Sequence, residues 1–190
     1  LSYNNLSSVS KTLANLIWNG IKDDKQLNQI IKNIEQISYS APNDSDKTAQ
    51  LSIYLYDPTE LPAMRNTPQA GNEPQTLLYL KLHYLITPLT RNPVTDQVIL
   101  GKVMQLLANK PILRESDLLD SLAKTQSELR IILEAPSAED QNRLWCMLQI
   151  PYKLSVSYGV YPVQIKADSN QKVVSTKNTV LAAATAAKIA

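Results

Sequence analysis

Residues 129–165 carry the densest hydrophobic pattern in the chain. Leu129, Ile131 and Leu133 alternate with Arg130 and Glu134, the two-residue period of a strand with one buried face, although Ile132 blurs the other face. Pro136-Ser137 breaks that period. Ser137, with Asp140 three residues later, makes a variant of the capping box in which Asp is a shorter reciprocal partner than Glu or Gln. Leu144, Trp145 and Leu148 then share one helical stripe, and Ile150-Pro151 closes the helix because the residue before proline avoids α geometry. A second strand is expected across residues 152–165. Leu154, Val156, Tyr158 and Val160 face one way and Lys153, Ser155, Ser157 and Gly159 the other, so one side is built for burial and the other for close approach by a second backbone.

Upstream, Leu6, Val9, Leu13, Leu16 and Ile17 predict an amphipathic helix after Asn5, with Gly20 as its stop. Leu27, Ile30, Ile31 and Ile34 are helically spaced while Ile37 and Tyr39 alternate with serines, so a short helix and then a strand are expected. Polar residues 43–48 mark a loop. Leu51, Ile53 and Leu55 alternate with Ser52, Tyr54 and Tyr56 as a strand that Asp57-Pro58 ends. Residues 57–75 are rich in Pro, Asn and Thr and form a long connection with Met64 and Arg65 at its centre; connections of this size are either disordered or used in binding.

Residues 77–87 set Leu78, Leu80, Leu82, Tyr84 and Ile86 on one face and Tyr79, Lys81, His83 and Leu85 on the other, which predicts a central strand. Pro88 and Pro93 bracket a loop, and Val98, Ile99, Val103, Met104, Leu106 and Leu107 predict a helix ending at Asn109-Lys110-Pro111. Ser116 is placed to cap one more turn carrying Leu118, Leu119 and Leu122. This order predicts an α+β fold, a mixed, mostly antiparallel sheet with helices packed mainly on one side. Beyond residue 165 a polar linker leads to Val173 and Val174 and then to an alanine-rich end. Alone, such a tail cannot bury enough apolar area to offset about 1–2 kcal/mol of backbone entropy per residue. Two parts are therefore expected, a domain over residues 1–166 and an extended C-terminal arm or flexible tail over 167–190.

With 190 residues, 44% of them apolar, the chain suffices for one domain with a core. A net charge of +2 argues against nucleic-acid or membrane-surface binding, and no apolar run has the length of a membrane span or a leader. The single cysteine excludes an internal disulfide and fits a reducing cytosol. One histidine and one cysteine cannot build a multi-His site, a zinc ribbon or a redox pair, which leaves only carboxylates for metal chemistry. His83 reads as a structural imidazole bonded to a neighbour, Cys146 as a small buried apolar group and Trp145 as core. Four scattered glycines make no phosphate loop. Glu134, Glu139 and Asp140 are close in sequence, but the last two suit a helix N-terminus better than an acid/base pair. Arg65 and Arg91, each in a loop, are either solvated charges or contacts to a neighbouring subunit through the guanidinium fork. No catalytic residue, metal or cofactor is expected.

The segments IYLYDPTE at 53–60, MRN at Met64, Arg65 and Asn66, LKLHYLITPL at 80–89, ILGKVMQLLANKPIL at 99–113 and the block at 129–165 occur in one unbroken order. In that order, from about residue 6 to residue 165, the chain resembles the cap, or tail-terminator, proteins of extracellular contractile injection systems, which look like phage tails. The resemblance implies a structural protein and not an enzyme. It implies a homohexameric ring that ends the inner tube and the contractile sheath at the end distal to the baseplate, with the tube protein and the sheath protein as partners and neither nucleic acid nor membrane. Assembly would occur in the bacterial cytoplasm and the protein would remain at the upper end of the extracellular particle. Met64, Arg65, Asn66 and Arg91 are candidate interface residues, and Val173 and Val174 are candidates for an arm that adds as a strand to a neighbour. The alternative is a cytosolic adaptor or assembly factor that binds an extended peptide at a sheet edge without entering the particle. A small enzyme working through carboxylates and tyrosine finds no constellation to support it.

Overall fold

The computed structural model describes residues 2–64, 77–126 and 128–166. Among these residues six strands form one sheet: β1 (Ile37–Ser38), β2 (Leu51–Glu60), β3 (Leu77–Pro88), β4 (Ile112–Arg114), β5 (Glu128–Glu134) and β6 (Val156–Lys166). Their order across the sheet is β1, β2, β3, β6, β5, β4, with β1 parallel to β2 and every other neighbouring pair antiparallel. The helices are α1 (Asn5–Ile21), α2 (Pro93–Asn109), α3 (Leu122–Thr125) and α4 (Ala138–Leu148). The architecture is α+β, as the order of patterns predicts.

The sheet has an inner and an outer face. Leu82, Tyr84 and Ile86 of β3 are fully buried on the inner face with Ile53, Ile131, Val160 and Val163 of the flanking strands. Against them pack Val9, Leu13 and Ile17 of α1, Ile99, Val103 and Leu107 of α2, and Leu122 of α3. Three of the four helices thus lie on this side. The outer face carries a smaller cluster in which Leu144, Trp145 and Leu148 of α4 cover Leu85, flanked by Tyr54 and Tyr56. β3 is buried on both faces, which is why its sequence shows apolar residues in both registers.

A polar stripe beside the apolar one fixes α1. Asn5, Ser8 and Thr12 recur at three- and four-residue spacing and are all buried. The Asn5 amide donates to the Gln164 carbonyl at 2.7 Å and accepts from Ser121 Oγ at 2.7 Å, and Thr12 Oγ1 accepts from the Leu119 amide at 3.2 Å. The stripe satisfies the Leu119 amide ahead of α3 and the Gln164 carbonyl of β6, so burying it costs little. Ser10 of the same helix meets the Tyr84 hydroxyl at 2.9 Å, and burial pushes that hydroxyl's pKa up.

Several boundaries differ from expectation. Gly20 lies inside α1, which continues to Ile21; the glycine serves packing, since a Cβ there would stand 2.2 Å from Leu106 Cδ2. Residues 27–36 form two 3-10 turns, Leu27–Gln29 and Ile34–Gln36, in place of a short helix, and the Asn33 side chain accepts from Gln36 N in the second. β2 runs through Asp57-Pro58 to Glu60, shifting register between Leu55 and Asp57. A bulge and an outer edge with no strand neighbour beyond Ser52 among the described residues let the strand accept a proline. Around Ser116 the chain makes a 3-10 turn, Glu115–Asp117, and then α3. β6 begins at Val156, four residues later than its alternation suggests, and its register against β3 shifts between Leu80 and Leu82, where Tyr161 and Pro162 stand. Residues 167–190, with the expected arm, lie outside the described residues.

Candidate assembly surface

α4 is set on the outer face by its caps. Ser137 Oγ accepts from the Asp140 amide at 3.1 Å and donates to Asp140 Oδ2 at 2.7 Å, so the Asp answers the serine hydroxyl itself and not, as a longer Glu would, the serine backbone. The helix ends on Gln149, whose φ of 55° is left-handed, ahead of Ile150-Pro151. Trp145 is buried as expected and meets Tyr152 edge-on, with ring centroids 5.4 Å apart. Cys146 is exposed, against the expectation of burial, because the stripe of Leu144, Trp145 and Leu148 turns its neighbours outward. Its thiol reaches Asn142 Oδ1 at 3.7 Å.

Beside α4 lies a polar cluster that local sequence did not reveal. Glu134 of β5 takes Lys81 Nζ on Oε1 at 2.6 Å and His83 Nδ1 on Oε2 at 2.7 Å, while His83 Nε2 stands 3.0 Å from Thr59 Oγ1 of β2. The register explains the meeting: His83, Gly159 and Ile132 lie side by side across β3, β6 and β5, and Glu134 stands on the same face two residues along β5. Gly159 leaves the space. A Cβ there would be 2.6 Å from Lys81 Cε and 2.8 Å from Glu134 Oε1, so the close approach the sequence implied is made by side chains and not by a backbone. Burial alone would raise the Glu134 pKa, but the hydrogen bonds from Lys81 and His83 outweigh it and hold the carboxyl below the ordinary glutamate value. The same burial, reinforced by the Glu134 charge, pushes the nearby Tyr56 hydroxyl up. His83 is the structural imidazole expected. Hydroxyl, imidazole and carboxylate stand in the order of a nucleophile relay, but Lys81 occupies the second carboxylate oxygen and the arrangement acts as a crosslink through four strands.

Glu139 pairs with Arg143 at the surface and Asp140 serves the cap, so the three carboxylates grouped by sequence do three separate jobs. Among the described residues no group of three or more His, Cys, Asp or Glu side chains could hold a metal ion. No helix among them is long and apolar enough to cross a membrane.

The interface candidates scatter. Met64 is half-buried in the 3-10 turn Pro62–Met64, beyond the Glu60 end of β2, whereas Arg91 follows Pro88 at the opposite end of β3. Arg65, Asn66, Val173 and Val174 lie outside the described residues. Arg91 adopts a left-handed φ of 64° and borders a pocket of about 400 Å³ with Pro88, Leu89, Pro93, Lys153 and Leu154. Sequence reasoning missed Lys153 and Leu154, which an expected strand had absorbed. Exposed apolar side chains, Leu133, Met147, Tyr152 and Leu154, lie on β5, on α4 and ahead of β6.

A six-stranded, mostly antiparallel sheet with three helices on one face and one on the other defines the class as an α+β domain. The chain belongs to the family described as the Pvc16 N-terminal domain, which matches residues 8–176. This is the cap family that the motifs resemble. Among solved structures, the fold is similar to the sheath/tube terminator of an extracellular contractile injection system, PVC, in its extended state, at a TM-score of 0.57 and 18% identity over 92% of this chain and 62% of that one. It is equally similar to the tube-terminating cap of the anti-feeding prophage, at a TM-score of 0.57 and 18% identity over 90% of this chain and 60% of that one. The chain thus spans about three fifths of the length of these structures. No curated protein matches it.

Proposed function

We propose that this chain is a structural cap of a contractile injection system, a ring of six copies that ends the inner tube and the sheath at the end distal to the baseplate. The observation that carries the reading is the family match over residues 8–176. A terminator needs one surface for the last tube ring, another for the last sheath ring, and none on which a further ring could add. A head-to-tail contact that closes on rotation gives a finite ring in place of a filament. The chain breaks no bond in a substrate and needs no cofactor; shape performs the task. Its partners are further copies of itself, the tube protein and the sheath protein. It joins them in the bacterial cytoplasm and stays at the upper end of the released particle.

Met64, Arg65, Asn66 and Arg91 contribute contacts in this reading. Residues 167–190 form the arm, with Val173 and Val174 as a strand added to a neighbour. The adaptor reading needs an open edge for a peptide. Among the described residues the outer edge of β2 pairs with no strand from Ile53 to Thr59, but a bulge and Pro58 interrupt its row of amides, which disfavours strand addition there. Co-sedimentation with separately purified tubes and sheaths tests the reading: a cap pellets with both, and a chain that pellets with neither is no cap. Truncation after Lys166 tests the arm, because caps that attach sheath normally without those residues leave it no role.

A further inference from the structure

We infer that the pocket beside Arg91 is a socket for the Asp57-Pro58 bend of a second copy, and that this head-to-tail contact joins neighbours in the ring. The inference rests on the cap reading for the ring and adds the residues that close it. The pocket has an apolar floor of Pro88, Leu89, Pro93 and Leu154 and a cationic rim of Arg91 and Lys153. Neither cation forms an ion pair among the described residues, although Lys11, Lys81, Lys102, Lys110, Arg130 and Arg143 all do. The one carboxylate in the lining, Asp96, is engaged by the Thr90 amide at 3.1 Å and the Thr90 hydroxyl at 2.6 Å. Arg91 also holds a left-handed backbone where Gly or Asn is the usual occupant, which fixes a long guanidinium side chain at a turn instead of a small residue. The chemistry that fits is a carboxylate next to a compact apolar group, since a guanidinium fork and an ammonium pair with the first and the floor takes the second.

β2 presents that combination. Asp57 and Pro58 are exposed at the bulge on the outer edge of the sheet. Asp57 has no ion pair among the described residues, whereas Glu128 and Glu134, the paired carboxylates of β5, are each held by a cation. Asp57 stands opposite His83, five residues along β3 from Pro88, a separation of roughly 17 Å at about 3.4 Å per residue. Bend and socket therefore occupy different patches of one copy. Joining them between copies makes a heterologous contact, the kind that closes rings.

Sedimentation of the full chain over a range of concentrations tests the inference. The wild-type chain should form a closed oligomer, and both Arg91→Glu/Lys153→Glu and Asp57→Lys should sediment as monomers with unchanged melting. An equal mixture of the two variants should regain the wild-type mass, because each socket then meets a bend of opposite charge in an alternating ring. Wild-type mass in either variant, a mixture of folded variants that stays monomeric, or a wild-type chain that never self-associates overturns the inference. If such variants still pellet with tubes, the socket is wrong and the cap reading stands. A wild-type chain that pellets with neither tube nor sheath removes the cap reading itself.

Discussion

On the inner face of the sheet, most contacts are made by apolar groups drawn from α1, α2, α3 and all six strands, with the buried stripe of Asn5, Ser8 and Thr12 as the polar exception. On the outer face, one helix covers part of the surface, and beside it an ammonium, an imidazole and a carboxylate meet in a single arrangement that depends on one glycine. The inner face buries the larger apolar cluster and tolerates change in most of its detail, the hydrogen bonds of α1 excepted. The outer face is specific in detail, buries the smaller apolar cluster and leaves Leu133, Met147 and Tyr152 exposed.

Truncations give the largest effects and test whether that division is real. Trp145→Ala should cost about 3–5 kcal/mol and Leu82→Ala about 2–5 kcal/mol in urea unfolding, since both side chains are buried. Hydrogen exchange separates the faces. Loss of Trp145 should open α4 while the amides of β3 stay protected, and loss of Leu82 should lower protection throughout. Uniform loss in both variants would merge the two clusters into one.

Gly159→Ala comes next. The added methyl has no room between Lys81 and Glu134, and overpacking of this kind costs about 1–3 kcal/mol. A neutral Gly159→Ala would mean that the ion pair yields easily and does not tie the strands together.

How much of this was legible follows the same division. The inner face is written in spacing: the alternation of β3 and the repeats of α1 and α2 each show a buried side without knowledge of what covers it. The cap of α4 is legible for the same reason, since Ser137 and Asp140 are three residues apart. The outer cluster is not, because His83 and Glu134 are 51 residues apart and only the β3, β6, β5 order joins them. Errors at Gly20 and Pro58 share a cause. Each residue breaks local regularity on average, yet each is accommodated by something the local sequence does not show, Leu106 in one case and a bulge at the outer edge of the sheet in the other. The stripe Asn5, Ser8 and Thr12 has helical spacing too, but a polar residue carries no sign of burial until its partners, Gln164, Ser121 and Leu119, are known.

A smaller effect sharpens the electrostatics. The folded-state pKa of Glu134 lies below its ordinary value, so the charged cluster stabilises the fold above the ordinary glutamate range, and that contribution is lost as pH falls through the lowered value. Glu134→Gln should therefore be less stable near neutrality and should flatten the acid side of the stability profile, as read by melting temperature against pH. Parallel profiles for variant and wild type would contradict the assigned direction. Smallest of all, Arg143→Ala should change stability by no more than about 0.5 kcal/mol, because its pair with Glu139 is solvent-exposed.

The most direct test of the account is electron microscopy of particles made in cells that lack this chain. Tubes and sheaths should be irregular in length with ragged upper ends, and the wild-type chain should restore uniform length. Uniform, intact particles in its absence would contradict it.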